Sequence, residues 1–274
     1  MQGIRQFIHT EKKIAYINKL LKVGYYALDF GSFVSPEIIP QMADTARVLE
    51  GLDLSTTKSK LIAIIANERG AKDACAYPQI DCLGFPFSVS ETFQKRNANS
   101  TIAESLERVK RIKQMTDNAN KELIIYISMA FGNTYGDAYS PQIVEEWVGK
   151  LKVLGVKTFM LSDTVGVAEP EIIKYLFSTL IPALPELEIG VHLHTAPYNW
   201  KEKIETAYNN GCRRFDSVIK GYGGCPMAKD DLIGNMPTEH LLNYFTQEQL
   251  GTGFSIPAFG EAMREANSVF PAQH

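Results

Sequence analysis

The chain lacks a strong charge of either sign, a long apolar run and a dense set of cysteines. Each absence removes a class of protein. A net charge of −3 over 274 residues offers no basic face for nucleic acid or an anionic membrane. No apolar run reaches the roughly 18 residues expected of a spanning helix. The opening stretch, MQGIRQFIHTEKK, has no apolar core of the kind a secretory signal carries. The four cysteines, Cys75, Cys82, Cys212 and Cys225, form no CxxC pair. They suit neither a zinc ribbon nor a disulfide scaffold, so free thiols in a reducing, cytoplasmic compartment are expected. No low-complexity tract or linker divides the chain.

What is present is the mixture of a globular enzyme: 45% apolar and 22% charged residues. From Gly24 onward, short apolar runs alternate with helical patterns. The strand candidates are 25–30, 60–65, 80–85, 123–129, 158–162, 188–194 and 215–219. Helices are expected from a Thr10 cap to Gly24, from a Ser100 cap onward, from Ser140-Pro141 to Gly155, and from Glu169-Pro170. Such alternation predicts a parallel sheet with helices outside, first as a single TIM (β/α)8 barrel over 1–274, second as an open doubly wound sheet. Only seven strands are counted, and a helix precedes the first. In a (β/α)8 barrel each helix follows a strand. The first strand is therefore expected ahead of Met1, with residues 1–9 the remnant of its loop and 250–274 a C-terminal extension.

Active sites of such barrels lie at the C-terminal ends of the strands. VHLH places His192 and His194 two residues apart near a strand end, so both imidazoles point to one face. They suit a metal ion, or, more blandly, a pair bonded to loop backbone. Asp29 is a carboxylate in an otherwise apolar strand and needs a cation or arginine beside it. Asp163-Thr164 ends another strand, where Asp163 could equally cap a helix or pair with a base. Cys225 sits in GYGGCPMA, where glycines allow a tight turn near a ligand. Asn235 follows on the same loop. In SETFQKRN, Lys95 and Arg96 read either as a solvated turn or as an anion contact.

These residues resemble the 3-hydroxy-3-methylglutaryl-CoA lyase family. The similar stretches are SFVSPEIIPQMADT (32–45), SETFQKRNANSTIAES (90–105), LSDTVGVAEP (161–170), VHLH (191–194) and GYGGCPMA with GNMPTE (221–239), in family order. The resemblance implies a metal-dependent barrel that cleaves a 3-hydroxyacyl-CoA to acetyl-CoA and acetoacetate. A related lyase on another hydroxy acid, or a non-catalytic paralogue, are the alternatives. It implies a divalent cation, Mg²⁺ or Mn²⁺ with Zn²⁺ also suited, held by His192, His194 and Asn235. It further implies Cys225, Asp29 and Asp163 as catalytic groups, Thr164 and Gln2 at the substrate, an acyl-CoA ligand and a homodimer. The family's Arg-Asp pair, which supplies one more metal ligand and a cation for the enolate, would fall ahead of Met1. Weak metal binding and little activity are therefore expected of these 274 residues alone.

Overall fold

The computed structural model describes residues 1, 4, 6–223 and 233–270. Seven strands form one parallel sheet in the order of the chain: β1 (Ala27–Ser32), β2 (Lys60–Ile64), β3 (Cys82–Ser88), β4 (Glu122–Ser128), β5 (Thr158–Ser162), β6 (Glu188–His192) and β7 (Phe215–Asp216). Between and around them run α1 (Thr10–Leu21), α2 (Thr45–Glu50), α3 (Glu68–Cys75), α4 (Glu91–Ala98), α5 (Ile102–Asn118), α6 (Pro141–Val153), α7 (Pro170–Ala183), α8 (Trp200–Asn209), α9 (Thr238–Gln247) and α10 (Ile256–Val269). No helix among the described residues is long and apolar enough to cross a membrane.

The strands are apolar on both faces because both faces are covered, as in parallel sheets generally. Leu61, Leu83, Ile125, Phe159 and Leu161 point outward and pack with helical residues such as Val109, Val148 and Phe177. Ile62, Cys82, Ile124 and Met160 point inward and form a separate cluster. Further along toward the C-terminal ends, the inner face turns polar. Ser88, Ser128, Ser162, His192 and Asp216 pair in register across five adjacent strands. The period of two thus carries an apolar plug into a polar mouth at the C-terminal ends.

The sheet is curled, and β1 and β7 are its edges. Among the described residues no ladder joins them, and no eighth strand is present. The edges nevertheless approach at the N-terminal end. The Tyr26 ring, just before β1, lies 5.6 Å from the Arg214 guanidinium and 5.2 Å from the Lys60 ammonium. Both contacts are cation–π in character.

Several local expectations change. Thr10 does not cap α1; its hydroxyl donates to Asp44 at 2.7 Å, and His9 holds the cap position. Ser100 accepts from Gln94, while Thr101 caps α5 in a full capping box with Glu104. The stretch SETFQKRN is neither a plain turn nor a free basic patch. It forms α4, with Lys95 paired to Glu91 and Arg96 4.7 Å over the Tyr135 ring. Residues 256–269 form a helix, α10, whose Ala262 and Ala266 pack with Tyr16 and Leu20 of α1.

The stretch PQMAD acts as a clamp. The Gln41 amide accepts from Ile8 N–H at 2.9 Å and donates to Ile4 O and Gln6 O. Asp44 pairs with buried Lys13 at 2.6 Å, and Lys13 also donates to Gln41 O. This loop therefore fixes the chain entering α1 against the C-terminal side of β1.

Candidate active site

β6 runs straight to His192, and a bridge of His194 to Asn235 continues its edge. The two imidazoles share the inner face, with ring centroids 5.5 Å apart. His192 Nδ1 lies 3.2 Å from Asp216 Oδ2, its in-register neighbour on β7. This turns Nε2 toward the mouth of the sheet, where Asn235 stands. A carboxylate behind an imidazole is the usual support of a metal-binding histidine. Burial opposes a charged His192, but Asp216 first and Asn235 next outweigh it and hold its pKa above the usual value. His194 is buried, and burial lowers its pKa to about 3, with the positive charge of Lys203 acting in the same direction.

Asn235 stands against both rings. Its Nδ2 donates to Tyr222 O at 2.9 Å, and its amide acts to raise the pKa of both imidazoles. With Nδ2 engaged by Tyr222 O, the amide oxygen is the atom left to serve as a ligand. The glycines of GYGG permit this approach. Gly221 has φ +63 and Gly223 φ +92, and a Cβ on either would come within 2.7 or 3.1 Å of Asn235. Two imidazoles and one amide oxygen converge. Among the described residues no three of His, Cys, Asp and Glu gather as a metal-holding group. That donor set of nitrogen and oxygen fits a divalent cation of intermediate hardness.

Asp29 faces the same interior from β1. Its side chain is open to solvent on one side, with protein around the rest. Desolvation, with Asp216 adding repulsion, pushes its carboxyl up to about 7, opposed first by the Met1 ammonium, then by Gly31 N–H and His192.

Asp163 is committed elsewhere. Its Oδ2 receives the Lys203 ammonium at 2.6 Å and its Oδ1 receives Ala168 N–H at 2.9 Å. Both partners are buried. Burial pushes the Asp163 carboxyl up, and Lys203 pulls it back. Thr164 accepts from Met129 N–H at 2.9 Å, which holds Met129 at φ 61 beneath the mouth. Thus His192, His194, Asn235 and Asp29 gather, while Asp163 and Thr164 brace the loop beside them. Gln2 and Cys225 lie outside the described residues.

Two contributors were not foreseen, Asp216 and Lys203. Asp216 looked like one polar residue in a short strand. Lys203 carried a readable signal: with Trp200, Ile204 and Ala207 it falls on the i, i+3, i+4, i+7 stripe of α8 that faces the core.

The HMGL-like family model matches residues 1–263. The chain belongs to the HMGL-like family. It is 31% identical over 262 residues to the cytoplasmic 3-hydroxy-3-methylglutaryl-CoA lyase of Rattus norvegicus, covering 96% of this chain and 76% of that protein. The mitochondrial hydroxymethylglutaryl-CoA lyase of Mus musculus is also 31% identical, with 96% and 80% covered. Among solved structures, an HMG-CoA lyase from Acinetobacter baumannii in complex with coenzyme A and 3-methylmalate superposes with a TM-score of 0.90. That pair is 28% identical, with 98% of this chain and 87% of that chain covered. The Brucella melitensis enzyme gives a TM-score of 0.89 at 28% identity, covering 97% and 93%. The HMGL-like fold is an α/β barrel, and the curled seven-stranded parallel sheet is its counterpart here.

In the metal-site reading proposed below, Asp216 would act on the cation through His192. Replacing it with asparagine keeps the shape but removes the carboxylate behind the ring. Mn²⁺ affinity is expected to fall about 10- to 100-fold, with little change in melting temperature. Isothermal titration of the purified variant checks it; unchanged affinity would assign Asp216 no part in the site.

Proposed function

We propose that the protein is a hydroxymethylglutaryl-CoA lyase-like enzyme that cleaves a carbon–carbon bond in a 3-hydroxyacyl-CoA. Acetyl-CoA and acetoacetate are the products for the hydroxymethylglutaryl thioester. The observation that carries the reading is the meeting of His192, His194 and Asn235 beside Asp29 at the mouth of an HMGL-like sheet.

His192 through Nε2, His194 and the Asn235 amide oxygen would hold Mg²⁺ or Mn²⁺, with Zn²⁺ chemically suited as well. When bound, the cation lowers the pKa of the substrate hydroxyl and fixes its orientation. The protein's own groups then manage the protons. Asp29 takes the hydroxyl proton on its carboxylate, a role that a pKa displaced toward neutrality favours. The electron pair of the breaking bond passes to the acetyl thioester as its enolate. Cys225 Sγ is proposed to return a proton to the enolate carbon, which completes the balance. Asp163 and Thr164 are proposed to keep the substrate-facing loop in place, and Gln2 to bind substrate. The acyl-CoA assignment draws support from the coenzyme A bound in the Acinetobacter relative.

The metal requirement is tested by chelation. Protein stripped with EDTA is expected to release no acetoacetate from hydroxymethylglutaryl-CoA, and added Mg²⁺ or Mn²⁺ to restore it. Full turnover by stripped protein would remove the cation from the account.

A further inference from the structure

We propose that Lys203 is a positioning residue for the cation site, acting through the backbone of His194; the inference rests on the metal-site reading above. Lys203 lies on the inward face of α8 and is buried. Its ammonium reaches three acceptors: Asp163 Oδ2 at 2.6 Å, His194 O at 3.0 Å and Gly166 O at 3.1 Å. An ammonium has three hydrogens, so every donor is used and each acceptor lies on a different part of the mouth.

The three acceptors belong to two loops. Asp163 and Gly166 lie after β5, and His194 lies after β6. Gly166 turns with φ +76, and a Cβ there would meet Ile233 at 2.6 Å. Ile233 in turn precedes Gly234, whose carbonyl accepts Thr195 N–H, and Asn235. Lys203 therefore sits behind the ligand set as a three-way tie. It sets the His194 peptide plane, and the direction of the imidazole follows. It also holds the turn on which the Asn235 strand rests.

A simple charge-compensating role for Lys203 makes a different forecast. In that case its only task is to neutralise Asp163, and the two carbonyls are bystanders. A double variant, Lys203→Met with Asp163→Asn, separates these. It removes both charges together, so no buried charge is left unpaired. It also removes the donor to His194 O and Gly166 O.

The experiment compares Mn²⁺ binding by the protein, by Lys203→Met and by the double variant, using isothermal titration and the free-ion electron paramagnetic resonance signal. Circular dichroism and melting curves report whether each is folded. The double variant is expected to fold and to bind Mn²⁺ about 10- to 100-fold more weakly, the range for groups that orient a ligand. Affinity within about threefold of the unmodified protein, in a folded double variant, overturns the proposal and leaves the metal site standing. Failure of the unmodified protein to bind Mn²⁺ overturns the metal reading and the proposal together.

Discussion

Replacing His194 with alanine is expected to lower turnover of hydroxymethylglutaryl-CoA about a thousandfold or more, or ~4 kcal/mol of barrier. The effect should be clean because the two parts of this residue do separate work. Its backbone carbonyl receives Lys203, and its edge bridges Asn235; both survive the substitution. Only the ring is lost, and in the proposed site the ring would contribute a nitrogen to the cation. Its pKa, held near 3 by burial and by neighbouring positive charge, keeps that nitrogen unprotonated through the working pH range. Mn²⁺ affinity should fall alongside turnover, while the melting temperature moves little. Titration calorimetry and a coupled acetoacetate assay check both halves. Unchanged Mn²⁺ affinity would take His194 out of the ligand set.

The second large effect concerns stability. Asp44→Ala is expected to destabilise the protein by about 3–5 kcal/mol, since it strands the Lys13 ammonium in a buried site. Lys13 is 3% and Asp44 9% exposed at the side chain, so water offers little relief. Thr10 loses its acceptor as well. The melting temperature should drop on the order of 10 °C. A parallel Asp44→Ala/Lys13→Met variant should recover much of the loss, because no unpaired charge remains. A single variant melting within about 2 °C of the unmodified protein would show that the clamp does not behave as a buried pair. The proposed site would be affected only indirectly, through the segment that Gln41 holds against the β1 loop.

The sequence was most readable where a period repeats. All seven strands lie where apolar runs were counted, and the two histidines fall on one face as period two requires. Their ends were harder. β3 runs on through Pro86 to Ser88, because the row of inward serines continues the ladder past the apolar run. β7 is only two residues long, although FDSVI reads as five, because the chain turns at Val218 to bridge Pro237. Caps were misplaced by one residue at Thr10 and Ser100, where the distant Asp44 carboxylate took the Thr10 hydroxyl and the Gln94 amide donated to Ser100 instead of the helix backbone.

The site divides in the same way. His192, His194 and Asn235 were visible as residue types at strand ends. The roles of Asp216 and Lys203 were not, although the core-facing place of Lys203 on α8 was readable, because their partners are 24 and 9 residues away and are chosen by strand order and helix facing. Asp163 could be read as a salt-bridge partner or as a functional group. Its pairing with Lys203 makes the first reading a fact of the structure, and its place beside His194 keeps it next to the chemistry.

One measurement bears most directly on the whole account. The protein is incubated with hydroxymethylglutaryl-CoA and Mg²⁺ or Mn²⁺, and acetoacetate and acetyl-CoA are both counted, with His192→Ala as the control. The account predicts the two products in equal amounts, formed slowly, and their loss in the control. No acetoacetate above the His192→Ala background would contradict it.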